Sequence, residues 1–206
     1  RSDLGVELVT RFPSNGQREV RAIAVGGGQI GSVQIAVLGD FSGTWSTVTG
    51  ITADGPTDCF LVFLDENLTI QSMPRVRGAG TCTGRDIVVD GLGQTTAMMA
   101  FDGTLVPSSS ISRTTAGTDT AIVRYAPRFS GFVPQWGTVI GSPQHFPEWG
   151  DAGGTALATR QGGGVVIAGS FSGNLVVSQS ASGQPVTVAN TRNMDGFAVE
   201  TDSGGG

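Results

Sequence analysis

The residues that could do chemistry are few. His145 is the only histidine. A serine or cysteine hydrolase would need it as the base, with Ser142 or a distant serine as nucleophile and Asp151 as orienter. The serines of Gly169-Ser170-Phe171-Ser172-Gly173 do not fall on the G-x-S-x-G spacing of a nucleophile elbow. Asp86 with Asp90, and Glu148 with Asp151, could pair for glycoside hydrolysis, but such pairs are unavoidable among 17 acidic residues. Asp65-Glu66-Asn67 offers oxygens without a D-x-D-x-D-G loop and reads as a solvated turn. Gly26-Gly27-Gly28-Gln29-Ile30-Gly31 matches G-x-G-x-x-G in form, yet a β-branched run follows where a pyrophosphate needs a helix N-terminus. Those glycines read as a hairpin turn. The sequence therefore assigns no catalytic residue, no metal and no cofactor.

Binding residues are better represented. Exposed aromatics on a β scaffold present flat apolar faces to sugars. Trp149, flanked by Glu148 and Asp151 in a long Pro-rich stretch, is the candidate of that kind. Trp45 and Trp136 read instead as residues that pack between blades. Cys59 and Cys82 are too few for an all-cysteine zinc site. They are either buried free thiols or a disulfide, which would add about 3 kcal/mol. The scarcity of charge, the absence of lysine among 12 basic residues and the many small polar residues favour an exported protein, and hence the bridge.

A net charge of −5 with no basic cluster argues against nucleic acid. No apolar run approaches the ~20 residues of a membrane-spanning helix. The 33 glycines punctuate apolar runs and have no collagen period. No window shows helical periodicity, so the expected class is all-β.

The elements that must carry these residues recur. Val33–Thr44 (VQIAVLGDFSGT), Ala97–Leu105 (AMMAFDGTL) and Gly162–Leu175 (GGGVVIAGSFSGNL) are apolar runs closed by Phe and Gly. Each is followed by a second string, at Asp58–Val62, Asp119–Val123 and Asp195–Val199. Phe41, Phe101 and Phe171 thus correspond, as do Asp58, Asp119 and Asp195. The expected strands are Val33–Phe41, Thr44–Thr52, Cys59–Leu64, Thr95–Phe101, Thr104–Arg113, Asp119–Tyr125, Phe132–Ile140, Val165–Gly169 and Phe197–Glu200. The Val165 strand is expected to be covered on both faces. Arg75–Gly84 reads as irregular, and Pro134 as an edge position. The unit is about four antiparallel strands, with cycles at 20–84, 85–154 and 155–206 and residues 1–19 as an extra strand that completes a cycle. Such a unit is propeller-like, because one sheet cannot bury both faces alone.

Gly164–Gly173 (GVVIAGSFSG) followed by Asp195–Asp202 (DGFAVETD) resembles the bacterial seven-bladed β-propeller repeat, SBBP. That pattern runs roughly G-N-x-Y-V-x-G-x-F-x-G and then D-x-F-V-x-K-x-D. The first cycle matches well through Gly39–Gly43 and Asp58–Asp65, and the second lacks the glycine before Phe101. The strand lysine is absent throughout. The resemblance implies an extracytoplasmic propeller-like module and lends no catalytic residue.

The expected function is that of a non-enzymatic, secreted structural or adhesive protein that associates with itself. A carbohydrate-binding propeller and a piece of an extracellular enzyme are the alternatives. Three cycles are too few for an ordinary closed propeller. Gly5, Val6, Leu8 and Phe12, on a strand that resembles the closing part of a cycle, are the expected self-association residues, by strand sharing between copies.

Overall fold

A computed structural model describes residues 15–27, 33–45, 51–108, 111–115, 117–128, 131–141, 152–178, 186–189 and 194–201. The protein is all-β and built from antiparallel sheets. The pairing registers show one unit used three times. In the first, β1 (Arg18–Gly27), β2 (Val33–Phe41) and β5 (Asp58–Leu64) form a three-stranded meander, with Arg18 and Asp58 both opposite Phe41. In the second, β8 (Cys82–Val89), β9 (Thr95–Phe101) and β12 (Asp119–Arg128) repeat it, with Cys82 and Asp119 opposite Phe101. In the third, β14 (Ala152–Thr159), β15 (Val165–Phe171) and β18 (Asp195–Thr201) repeat it again, with Ala152 and Asp195 opposite Phe171. The first strand of each unit carries a register shift at the same place, beside Arg21, Arg85 and Thr155. A β-bulge conserved in position bends each meander alike.

Between its second and third long strands each unit sends out a short hairpin. These are β3 (Thr44–Trp45) with β4 (Ile51–Thr52), β10 (Thr104–Ser108) with β11 (Ile111–Thr114), and β16 (Leu175–Ser178) with β17 (Val186–Val188). Thr44–Thr52 and Thr104–Arg113 are therefore hairpin arms, not the single strands expected. The turn into each arm explains the Phe-x-Gly motif. Gly43, Gly103 and Gly173 have φ of 71°, 69° and 69°, a left-handed region costly for a side chain. Gly103→Ala is expected to cost about 1–2 kcal/mol in denaturant unfolding.

Arms also tie neighbouring units together. β7 (Arg75–Gly78) pairs with β5 on one side and with arm strand β10 of the next unit on the other. β13 (Gly131–Gly141) does the same between β12 and β16. Residues 75–84, expected to be irregular, are thus two strands joined by a short turn. Their ladder partners override weak local propensity. β6 (Ile70–Ser72) pairs with β5 as well. Pro134 faces Tyr125 beside a register shift, outside the Val139–Gly141 segment that pairs with β16, so it is an edge position within β13.

The three sheets stack. Alternate side chains of each strand point to opposite faces, so the second meander has one face towards the first unit and one towards the third. Ala36, Leu38, Leu61 and Phe63 from the first sheet meet Ala97, Met99, Val123 and Tyr125 from the second. Met98, Ile122, Trp136 and Ile140 meet Leu157, Ile167 and Phe171 from the third. Trp136 therefore packs between sheets as expected. Trp45 does not: it lies under its arm on the outer face of the first sheet, edge-on to Phe41 and Phe60.

One irregularity of the repeat has a packing cause. Gly39 sits opposite Phe60 and Gly169 opposite Phe197, and a Cβ on either glycine would come within 2.7 Å of that ring. The second unit has Met99 opposite Ala121 instead. The large side chain has changed strand while the pair keeps its volume, the kind of exchange cores tolerate best.

Candidate functional site

Cys59 and Cys82 are bonded, with Cα atoms 5.3 Å apart. The bond joins the third strand of one unit to the first strand of the next. The same junction is held by a hydrogen bond from Cys82 N–H to Thr57 O at 3.0 Å. Between the second and third units the equivalents recur: Ala152 N–H donates to Thr118 O at 3.1 Å, and Thr120 Oγ1 donates to Ala152 O at 2.8 Å. One junction is covalent and the other polar, on one geometry.

In the first two units the repeated aspartate serves the arm. Asp58 Oδ2 accepts the N–H of Asp54 at 3.0 Å, and Asp119 Oδ2 accepts the hydroxyl of Thr115 at 2.6 Å. Each carboxylate fixes the return of its arm. Burial pushes the Asp58 pKa above the usual carboxylate range, offset in part by the N–H groups of Asp54 and Gly55. Its folded form holds a proton to higher pH than the unfolded chain. That contribution is complete below the unfolded carboxylate range and is lost as pH rises through the folded value. Asp58→Asn is expected to remove this loss, flattening stability against pH across the range above ordinary Asp titration. Urea midpoints at stepped pH measure it.

The other candidate groups are structurally engaged. Asp86 accepts the N–H groups of Ile87 at 2.8 Å and Leu157 at 2.6 Å, while Asp90 binds Arg124 at 2.6 Å. They are not aimed into a common cleft as an acid–base pair. Asp65 Oδ1 accepts the N–H groups of Asn67 and Thr69, both at 2.9 Å, and so organises its own turn. Among the described residues no three His, Cys, Asp or Glu side chains converge as metal ligands. A polar cleft of about 550 Å³ beside β1 and β2 contains Arg21. Its guanidinium is bound by Glu19 at 2.6 Å and Asp40 at 2.7 Å, and the Asp40 hydrogen bond raises its pKa. Its charge is already matched within the cleft.

Among the described residues, the third unit carries an exposed sheet face and a groove. β18 is the last described strand of its sheet. Its counterparts β5 and β12 are buried along the equivalent seven residues, whereas β18 alternates between half-buried and exposed up to Thr201. A groove of about 560 Å³ runs beside it, floored by Phe171, Leu175, Val177, Phe197 and Val199. On the opposite face of the same sheet Val166, Ala156, Ala158 and Ala198 are exposed. The Val165 strand is therefore covered on one face only. Its inward residues Val165 and Ile167 are buried, at 1% and 0% exposed.

Trp149, Glu148 and Asp151, His145 and Ser142, and Gly5, Val6, Leu8 and Phe12 all lie outside the described residues. Sequence reasoning missed two features. The first is an exposed apolar patch on β1 and β2: Val20, Ile23, Val25 and Val33 are 55%, 64%, 64% and 40% exposed. The bulge at Arg21 breaks the period-two signal that would have grouped them. The second is the buried Arg124, which only the pairing registers bring to Asp90. No protein-family model matches the chain, and no curated protein sequence matches it.

Proposed function

We propose that this chain is a non-enzymatic, extracellular structural or adhesive β-repeat protein of propeller-like kind, acting through its surfaces and through association with its own copies. The observation that carries this reading is β18, the last described strand of its sheet, which alternates between half-buried and exposed beside an apolar groove where the corresponding strands β5 and β12 are buried. A sheet edge beside an apolar groove is a template for strand addition. The disulfide fits an oxidising compartment. No described helix is long and apolar enough to cross a membrane.

Sedimentation velocity over a concentration series tests the reading. Species larger than a monomer should grow with concentration and keep a β-type circular dichroism spectrum. A compact monomer at every concentration would count against it. A second reading, glycan binding, draws on the tilted pair Phe171 and Phe197, whose ring centroids are 6.3 Å apart beside the groove. A glycan array separates the two: saturable sugar binding by a monomer favours the second.

A further inference from the structure

We infer that the groove beside β18 is a binding site for a small, uncharged aromatic molecule. Comparison of the two internal junctions shows how the site arises. β12 and β18 hold equivalent places, so Ala121, Val123 and Tyr125 correspond to Phe197, Val199 and Thr201. At the first junction the three β12 side chains are sealed into the core with Leu105 of the arm, each no more than 2% exposed. The Tyr125 ring lies 6.2 Å from that of Phe63, and Phe63 stacks on Phe132 with centroids 3.6 Å apart. Three aromatic rings fill that space.

At the second junction none of the three is reproduced among the described residues. Thr201 stands for Tyr125. Arg124 stands for Phe63, opposite Thr96 as Phe63 is opposite Ala36, and its guanidinium is drawn off to Asp90 and to Gly163 O. Phe132 belongs to β13, which pairs with β12, whereas β18 pairs only with β15 among the described strands. Phe197 in place of Ala121 does not fill the gap, because it is offset by Gly169 in place of Met99. What remains is the groove of about 560 Å³, inside the ~300–1,000 Å³ range of small-molecule sites.

The lining fixes the class of ligand. Phe171 and Phe197, tilted with centroids 6.3 Å apart, offer a ring edge and a ring face to a third ring, with Leu175, Val177 and Val199 beside them. The only charged residues among the described lining are Asp195 and Glu200, and Glu200 is paired with Arg160. No cation lines the groove to offset the hydration that an anion would lose. The Thr201 hydroxyl is buried, without a hydrogen-bond partner among the described residues, on the face shared by Phe197 and Val199. One polar group on a ligand would remove that cost. A saccharide brings more hydroxyls than Thr138 and Thr201 can satisfy, whereas a neutral aromatic with a single N–H or O–H matches the inventory. Strand addition would use the backbone edge of β18 and this site its side-chain face, so the inference goes beyond self-association and does not rest on it.

Two fluorescent probes of one skeleton test it on the full-length chain, at the dilute end of the sedimentation series. N-phenylnaphthylamine is uncharged and carries one N–H; anilinonaphthalene sulfonate adds an anionic group. Expected is a saturable fluorescence rise with the neutral probe at one site per chain, and binding of the sulfonate weaker by roughly tenfold or more. Thr201→Tyr, which restores the ring that the second unit carries at that place, should weaken the neutral probe by roughly tenfold or more. Val188→Asp should do the same from the arm, where the side chain is 46% exposed and its exchange leaves the core intact. Val166→Tyr, on the opposite face of the sheet, should change nothing. Circular dichroism and urea unfolding establish that each variant is folded, and if Thr201→Tyr fails to fold, Val188→Asp decides. No saturable binding of the neutral probe, equal affinity for the two probes, or binding indifferent to the groove substitutions would each overturn the inference and leave self-association standing.

Discussion

Replacing Arg124 by alanine is expected to cost the fold about 3–5 kcal/mol, the range for removing one partner of a buried ion pair. The side chain is 2% exposed in the centre of β12. Its Nη2 donates to Asp90 Oδ2 at 2.6 Å, its Nε to Gln94 Oε1 at 2.6 Å, and its Nη1 to Gly163 O. The first two groups belong to a turn of the second unit and the last to a turn of the third, so one guanidinium holds two units in register. Alanine leaves the Asp90 carboxylate, 10% exposed, without its counter-charge. Arg124→Met combined with Asp90→Asn should lose less than Arg124→Ala, because no buried charge is stranded. The third unit provides a control. Glu200 and Arg160 occupy the same two places with the charges exchanged, at 48% and 59% exposed. Breaking that pair should fall in the surface range of about 0–1 kcal/mol. Urea unfolding of the variants measures all three. An Arg124→Ala loss no larger than the surface pair's would contradict the buried-network account.

Removing the disulfide ranks next. Cys59 and Cys82 are 23 residues apart in sequence, and opening a loop of that size is expected to cost about 3 kcal/mol. Their position makes the loss more than local. They join β5 to β8, the strands whose packing creates the interface between the first and second sheets. The second junction manages with Thr120 and Ala152 in the same places, so Cys59→Thr with Cys82→Ala should fold at reduced stability. Reduction of the parent protein should lower the urea midpoint to the level of that double variant. Identical midpoints with and without reductant would show that the packed sheets alone set the stability.

Much of the architecture was legible because the repeat is written in residues with local consequences. Phe-x-Gly marks a turn only glycine makes without strain, and an aspartate opens the strand after each arm, so the three copies align on residue types alone. The cross-unit pairings were not legible. β7 has four residues, Arg75–Gly78, two of them arginine, and its strand character comes from β5 and β10 on either side rather than from its own side chains. The arms were read as continuous strands because Thr-rich segments favour extended backbone whether or not they reverse direction. The candidate surface was hidden for a similar reason. Nothing in the residue types of Val20, Ile23 and Val25 separates a covered strand face from an uncovered one, and only comparison with Ile87 and Leu157 in their packed positions identifies them as uncovered.

Hydrogen exchange on β18, followed by mass spectrometry at rising protein concentration, tests the central claim most directly. Self-association through the third sheet predicts that the peptide covering Asp195–Thr201 gains protection as concentration rises, while the enclosed β9 and β12 are already protected at the lowest. Exchange of that peptide that stays the same from dilute to concentrated solution, in a species that keeps a monomer's mass, would contradict it.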